Sequence, residues 1–342
     1  MKPLILVTGG MGFIGSHTTV ELIQEGFEVV IVDNLSNSKL EVLDGIEAIT
    51  GIRPHFENFD LCDLNRLRQC CETYPRLKAI IHFAALKAVG ESVDKPLDYY
   101  HNNFESLINL LWVMGDYDAP NMVFSSSCTV YGQPDKLPVT ESSPVKKASS
   151  PYGNTKQVSE EIIQDAIVAN SAIRAISLRY FNPIGAHPSA NIGELPLGVP
   201  LNLIPYLTQT VIGKRAELRV FGNDYDTPDG TGIRDYIYVV DLARAHVIAI
   251  KRLLEGKNKN PYEVFNLGTG KGYSVMEIIK AFERATGKKV NYKIYPRRPG
   301  DIASVYADTS FANKELGWKA ETSLEQTLFT AWSWEKAIHD KK

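Results

Sequence analysis

Short apolar runs recur along the first half of the chain and alternate with longer amphipathic stretches. Residues 4–7, 29–32, 79–83 and 122–124 are too short for helices and apolar apart from His82. That suits strands buried on both faces, as in a parallel sheet. Between the first two runs lie Ile14, Thr18 and Leu22 at helical spacing, and Gly26 closes the segment. A second helix-like stretch, rich in Asn and Leu, covers about residues 102–114. Strands alternating with helices predict βαβ crossovers and an α/β, doubly wound parallel sheet.

The pattern changes after about residue 180. Pro183, Pro188, Pro196, Pro200 and Pro205 fall close together, and residues 222–230 form a polar, turn-rich loop. Helical patterning returns near residues 275–286 and 324–338, with a basic, proline-containing segment at 296–300 between them. The expected organisation is a sheet domain over residues 1–180 and a smaller mixed α/β domain over 181–342. Some later segments are expected to return to the first sheet, and a cleft between the two parts is the expected site.

Composition narrows the class of protein without naming an activity. The chain has 342 residues, 44% hydrophobic and 23% charged, with a net charge of -3 from 37 basic and 40 acidic residues. These values exclude disorder, collagen and a small secreted scaffold, and they carry no electrostatic footprint for nucleic acid or a membrane surface. No run reaches the length of about 20 apolar residues that spans a bilayer. Cys62, Cys70, Cys71 and Cys128 show no metal-binding spacing, so no metal is expected. Four such thiols, and an N-terminal apolar run too short for a signal peptide, make the cytoplasm the expected compartment.

The first strand runs into Thr8-Gly9-Gly10-Met11-Gly12-Phe13-Ile14-Gly15. Gly9 permits a tight turn, Gly12 lets the backbone approach a pyrophosphate, and Gly15 lets the helix pack closely on the strand. The helix N-terminus then offers unpaired amides and a positive dipole end to the phosphates. Asp33 ends the second strand, 18 residues after Gly15. A carboxylate there would bind the adenosine ribose and repel a 2′-phosphate, which favours NAD over NADP on a Rossmann-type sheet.

Ser125, Ser126 and Ser127 follow the fourth apolar run, at the strand edge where open α/β sheets bind ligands. Ser150 can cap a helix beginning at Pro151, which places Tyr152 and Lys156 on one face. A free tyrosine is a poor base at neutral pH. A neighbouring ammonium and a cationic nicotinamide are both expected to lower its pKa and make Tyr152 a usable proton acceptor.

The glycine turn, the serine strand end and Tyr152-x-x-x-Lys156 resemble the extended short-chain dehydrogenase/reductase superfamily. Longer strings narrow the match. His82-Phe83-Ala84-Ala85-Leu86-Lys87-Ala88-Val89-Gly90-Glu91-Ser92, Ser125-Ser126-Ser127-Cys128-Thr129-Val130-Tyr131-Gly132 and Arg179-Tyr180-Phe181-Asn182-Pro183-Ile184-Gly185-Ala186-His187-Pro188 resemble the UDP-glucose 4-epimerase family. So do Phe221-Gly222-Asn223-Asp224-Tyr225 and Asp229-Gly230-Thr231-Gly232-Ile233-Arg234-Asp235-Tyr236.

The resemblance implies interconversion of UDP-glucose and UDP-galactose with tightly held NAD, in a homodimer. It implies catalytic roles for Ser127, Tyr152 and Lys156, which would also touch NAD. It adds Phe13, Ile14, Asn34, Leu35, Ser36, Asn37, Ser38, Asp60, Leu61, Phe83, Ala84, Ala85, Lys87, Asn102 and Phe181 to the NAD site. On the UDP-hexose side it implies Arg234 and Arg298 for the diphosphate and Asp301 for the uridine ribose. Arg219, Val220 and Phe221 would surround the uracil, with Asn182, Asn202 and Leu203 nearby. Arginine suits phosphate recognition. Cys128 stands where bacterial members usually carry Ala. Val305 stands where a bulky Tyr accompanies restriction to plain hexoses and a small residue accompanies N-acetylhexosamine turnover; Val is nearer the small end. A related 4,6-dehydratase would need an acidic pair where this chain has Cys128-Thr129, and a non-catalytic NAD-binding regulator would be expected to lose Tyr152 or Lys156. A dehydrogenase exchanging free NAD(H) would produce net NADH.

Overall fold

The computed structural model describes residues 3–298 and 301–340. Pro299 and Gly300 of the basic, proline-containing segment lie outside the described residues. The first half alternates as the apolar pattern predicts: β1 (Leu4–Thr8), α1 (Phe13–Gln24), β2 (Glu28–Val32), α2 (Val42–Thr50), β3 (His55–Glu57), α3 (Leu64–Thr73), β4 (Leu77–His82), α4 (Val89–Asp94), α5 (Pro96–Asp116), β5 (Asn121–Ser127), a 3-10 turn (Cys128–Tyr131), α6 (Pro151–Ala169) and β6 (Arg174–Tyr180). The second half supplies β7 (Asn182–Ile184), α7 (Leu203–Val211), β8 (Leu218–Phe221), β9 (Ile233–Tyr238), α8 (Val239–Leu254), β10 (Tyr262–Leu267), β11 (Gly272–Ser274), α9 (Val275–Thr286), β12 (Tyr292–Tyr295), β13 (Ser304–Val305), α10 (Ser310–Glu315) and α11 (Leu324–Asp340).

Seven parallel strands form one sheet in the order β10-β6-β5-β4-β1-β2-β3. All five β1 residues are buried, as a strand covered on both faces requires. One face packs on α1, α2 and α8 around Val20, Leu43, Ile46, Leu242 and Ile250. The other packs on α3, α5 and α6 around Leu67, Leu107, Leu110, Ile163 and Ile167. This is the expected doubly wound, Rossmann-type sheet, and its order reverses between β1 and β4.

Register decides where the loops emerge. Thr8 lies opposite Val32 on one side and His82 on the other, so β1, β2 and β4 end flush. His82 in turn lies opposite Phe124, and β5 runs on for three residues, all serine, paired with Leu178, Arg179 and Tyr180 of β6. Ser127 therefore stands forward of the edge that carries Gly9 and Asp33.

The rest of the chain builds smaller units. β9 pairs with β7 and β13 in parallel and with β11 antiparallel, while β8 pairs with β12. α7, α9 and α11 close a third core around Leu207, Leu218, Phe282 and Leu328. The predicted helix at 275–286 is α9: Ser274 and Glu277 form a reciprocal capping box, and Gly287 ends it in the left-handed region. The stretch expected from about residue 102 begins earlier, at Pro96, because proline at the first helical position starts the helix there. Among the described residues, no helix is long and apolar enough to cross a membrane, and no group of three or more His, Cys, Asp or Glu is placed to hold a metal.

Candidate active site

Gly9 directly follows β1 with a φ of +67°, in the left-handed region. A Cβ at Gly9 would come within 2.7 Å of the Ala84 nitrogen. The turns after β1 and β4 thus touch backbone to backbone at the point where the strand order reverses. Gly15 is equally constrained, since its Cβ would lie 2.3 Å from the Gly9 carbonyl oxygen. Gly12 differs: among the described residues its Cβ would meet that same oxygen at 3.2 Å and otherwise open space. Gly12 caps α1 with no side chain, and the first turn holds no acid. The amides of Phe13, Ile14 and Gly15 have no carbonyl one turn back within the helix. This backbone cradle fits a dinucleotide pyrophosphate.

Asp33 is tied to both neighbouring loops. Its carboxylate accepts from the Met11 amide at 3.1 Å and from the Leu35 amide and Ser38 hydroxyl at 2.9 Å each. Leu35 is a non-glycine residue at φ +58°, a strained conformation held by that loop. Exposed Asn34 donates to Asp60 at 2.9 Å and accepts from the Ser36 amide at 3.0 Å, with exposed Asn37 following. Desolvation acts to raise the Asp60 carboxyl, but bonds from the Cys62 amide and Asn34 hold it below the usual range. Leu61 is buried and its carbonyl accepts from Asn109 at 2.8 Å. Across the switch, Phe83 packs its ring on His246 at 4.7 Å between centroids. Ala84 and Ala85 are half-buried, Lys87 is exposed, and Asn102 donates to Asn103 at 2.9 Å. Phe181 is buried just past β6.

The helix carrying Tyr152 and Lys156 starts as its sequence dictates. The Ser150 hydroxyl accepts from the Gly153 amide at 3.1 Å, and Pro151 occupies the first turn. Lys156, 5% exposed, donates to the Ser125 carbonyl at 2.7 Å. Its Nζ lies 4.8 Å from the Phe124 ring centre and 5.9 Å from that of Tyr152. Ser127 is 8% exposed and accepts from the Thr129 amide at 3.2 Å.

The expected lowering of the Tyr152 pKa is not what the protein groups alone produce. Desolvation pushes the phenol up to about 12, with the Ser127 hydroxyl opposing it. The Lys156 ammonium is turned toward a backbone carbonyl, and burial pulls its own pKa down to about 7, with Glu160 opposing. The lysine is therefore a weaker source of positive charge than its spacing suggested. Burial pushes the Cys128 thiol up to about 12 in the same surroundings, away from the nucleophilic thiolate form.

A second group lies on the smaller units. Val305 stands opposite Arg234 in register, and Arg234 is pinned by donating to the Ile233 carbonyl at 2.8 Å. Arg298 donates to Asp301 at 2.8 Å and lies 5.0 Å over the Phe221 ring. Exposed Arg219 stacks 5.4 Å from the Tyr295 ring centre. Val220 is 1% exposed and points into the third core, so only its backbone can face a ligand. Asn182 opens β7. Asn202 occupies the cap position of α7 and donates to Glu194 at 2.6 Å, and Leu203 is the first residue of α7.

Val305 joins Phe181, Val130 and Tyr131 in one apolar cluster, with Cys128 and Ile302 at its margin. The second group thus meets the serine strand end. Sequence reading missed Arg297, which stacks 4.1 Å over Tyr225, and Glu160 and Arg179, which are paired behind the site. The spacing of Tyr152, Lys156 and Glu160 at four-residue steps was the available signal for Glu160.

A family model described as the NAD dependent epimerase/dehydratase family matches residues 5–268. The chain is 50% identical to a UDP-glucose 4-epimerase of Bacillus subtilis over 333 residues, 97% of each chain. Its structure is similar to that of a UDP-glucose-4-epimerase from Stenotrophomonas maltophila with bound NAD and formylated UDP-arabinopyranose, with a TM-score of 0.95, 47% identity and coverage of 99% of this chain and 100% of that one. It is likewise similar to the Bifidobacterium longum UDP-glucose 4-epimerase in complex with NAD+ and UDP, with a TM-score of 0.94, 46% identity and the same coverage. With a glycine turn, a serine strand end and a Tyr-Lys helix on one sheet edge, and with relatives aligned nearly end to end, the chain belongs to the NAD dependent epimerase/dehydratase family.

Proposed function

We propose that the protein interconverts UDP-glucose and UDP-galactose by transient oxidation at sugar C4, with NAD held throughout. The observation that carries this reading is the meeting of Tyr152, Lys156 and Ser127 where β5 overruns the glycine-turn edge. NAD supplies reversible hydride acceptance at C4. The amides at the start of α1 hold its pyrophosphate, Asp33 its adenosine ribose, and Lys156 its nicotinamide ribose. The loop residues 34–38, Asp60, Leu61, residues 83–85, Lys87, Asn102 and Phe181 complete that site.

Tyr152 takes the proton of the sugar 4-hydroxyl, and Ser127 hydrogen-bonds that hydroxyl and relays the proton. A phenol that burial alone holds near 12 needs cationic help at this point, so Tyr152 becomes an effective base only in the loaded site. Arg234 and Arg298 grip the diphosphate, Asp301 the uridine ribose, and Arg219, the Val220 backbone and Phe221 the uracil, with Asn182, Asn202 and Leu203 beside them. The anchored nucleotide would leave the sugar free to turn, so that either face of C4 could be presented to the hydride chemistry that NAD supplies when bound. The sheet domain thus serves NAD and the smaller units serve UDP.

The small Val305 beside Cys128 supports a pocket that also admits N-acetylhexosamines. Comparable turnover of plain and N-acetylated UDP-sugars would establish this, and no N-acetyl turnover would end it. A homodimer is supported by α5, whose outer side exposes Trp112 beside Tyr100, Phe104 and Ile108 along a shallow groove. Four free thiols fit a reducing cytoplasm.

The decisive experiment uses the purified protein. It should carry bound NAD and convert UDP-galactose to UDP-glucose without added oxidant. Tyr152→Phe should remove at least ~99% of turnover with NAD retained. An unchanged rate in that variant, or net NADH production by the native protein, overturns the reading.

A further inference from the structure

Behind the reaction residues lies a buried polar chain that the mechanism above leaves unused. Tyr152, Lys156 and Glu160 recur at one-turn intervals on the sheet-facing side of α6. Opposite them are the three consecutive serines of β5. Lys156 bonds the Ser125 carbonyl at 2.7 Å, the Ser126 hydroxyl donates to Glu160 at 2.5 Å, and Ser127 interacts with the Tyr152 phenol.

Glu160 and Arg179 are 4% and 6% exposed. Arg179 grips the carboxylate with a two-pronged fork, Nε to Oε1 at 2.9 Å and Nη2 to Oε2 at 2.5 Å. Ser126, Arg179 and Asn266 form one row across β5, β6 and β10, each opposite the next in register. The Tyr131 hydroxyl bridges that row, accepting from Arg179 at 3.0 Å and donating to Asn266 at 2.7 Å. Asn266 then donates to the Val139 carbonyl at 3.0 Å, and its amide donates to Glu141 at 2.7 Å. The chain therefore links the helix bearing Tyr152, the strand bearing Ser127 and the turn bearing Cys128.

We propose that the Glu160–Arg179–Tyr131 chain is a positioning device that sets the register of α6 against the end of β5, and with it the placement of Tyr152 and Lys156 relative to Ser127. The proposal rests on the functional reading above. Apolar residues of equal volume would stabilise such a site at least as well as a buried ion pair. What a forked, fully bonded pair adds is a single geometry. It also places one anion beside Lys156. The groups facing Lys156 are Tyr152 and Glu160 from α6, the Ser125 carbonyl and Phe124 ring from β5, and the neutral His82 from β4. Those facing Glu160 are Ser126, Arg179, Lys156 and the Tyr262 phenol of β10.

Two variants of the NAD-loaded protein test this. Glu160→Gln keeps the shape and removes the charge; Tyr131→Phe deletes one hydroxyl. Expected for Glu160→Gln is a fall in kcat of about tenfold or more, with KM for UDP-galactose within about twofold. Its alkaline limb of kcat moves to lower pH, because Lys156 loses the anion that favours its protonated form. Tyr131→Phe should lose about threefold in kcat, with that limb unmoved. A purely structural role would lower thermal stability alone and leave kcat per bound NAD unchanged. Unchanged kcat per bound NAD in Tyr131→Phe, or an unmoved limb in a folded Glu160→Gln, overturns the proposal. If Glu160→Gln fails to fold, Tyr131→Phe decides alone. If the native protein does not turn over UDP-galactose, the functional reading has failed, and NMR titration of the 13C-labelled Tyr152 phenol takes the place of kcat. A shift between native protein and Tyr131→Phe then supports positioning, and coincident curves refute it.

Discussion

The sheet domain and the smaller units build their halves of the site from different materials. On the sheet side the candidate contacts are mostly backbone: a glycine turn, the amides of a helix start and a loop that caps itself through Asp33. On the other side they are mostly long side chains, some of them stacked on rings, as Arg219 is on Tyr295 and Arg298 on Phe221. A backbone cradle is fixed once the strands are in register and leaves no room for a Cβ at Gly9 or Gly15. Stacked arginines are adjustable and can release one partner for another. The first suits a group that stays bound, the second a group that enters and leaves.

Substitutions can break this contrast at several levels. The largest effect is expected at Gly15, where valine would drive its Cβ into the Gly9 carbonyl. Such overpacking should cost about 3 kcal/mol and abolish NAD binding, as denaturant unfolding and cofactor stoichiometry would show. Full NAD content in Gly15→Val would mean that the cradle is not rigid. Next comes Arg298→Ala, which removes a cation from the second group alone. Calorimetry should find UDP binding weakened about 30-fold with NAD content untouched; parallel loss of both would dissolve the distinction. Asp33→Asn should reduce NAD affinity roughly tenfold and narrow the preference over NADP, readable by competition between the two dinucleotides. The smallest change is expected for Arg219→Ala, about threefold in UDP affinity, since the arginine is exposed and its ring contact is shared with solvent. A larger loss there would make the stacked arginines as unforgiving as the glycines.

The same contrast explains what could be read from residue order. Alternating apolar runs revealed β1, β2, β4 and β5, because strands buried on both faces need continuous hydrophobic stretches. Ser150 and Pro151 announced the start of α6, because caps act over three residues. The Tyr152–Lys156 spacing was legible for the same local reason, but the pKa of the phenol was not. Desolvation depends on what packs around a group, and no periodicity carries that. β7, β11 and β13 were invisible because two- and three-residue strands exist only through their partner on β9. Arg298 over Phe221 joins positions far apart in the chain, and Glu160 with Arg179 joins a helix to a strand. Residue order alone leaves each of these arginines looking like any surface cation.

The last strand of the large sheet, β10, is drawn from Tyr262–Leu267 and lies against β6. During synthesis the ribosome must therefore release most of the protein before that sheet has its final edge. A nascent chain that has finished β6 carries a row of unpaired amides and carbonyls until β10 arrives. Translational pausing within residues 181–261 would prolong that exposure, and a protease nick there would make it permanent. A fragment ending near residue 180 is then better regarded as an aggregation-prone intermediate than as a portable dinucleotide-binding module.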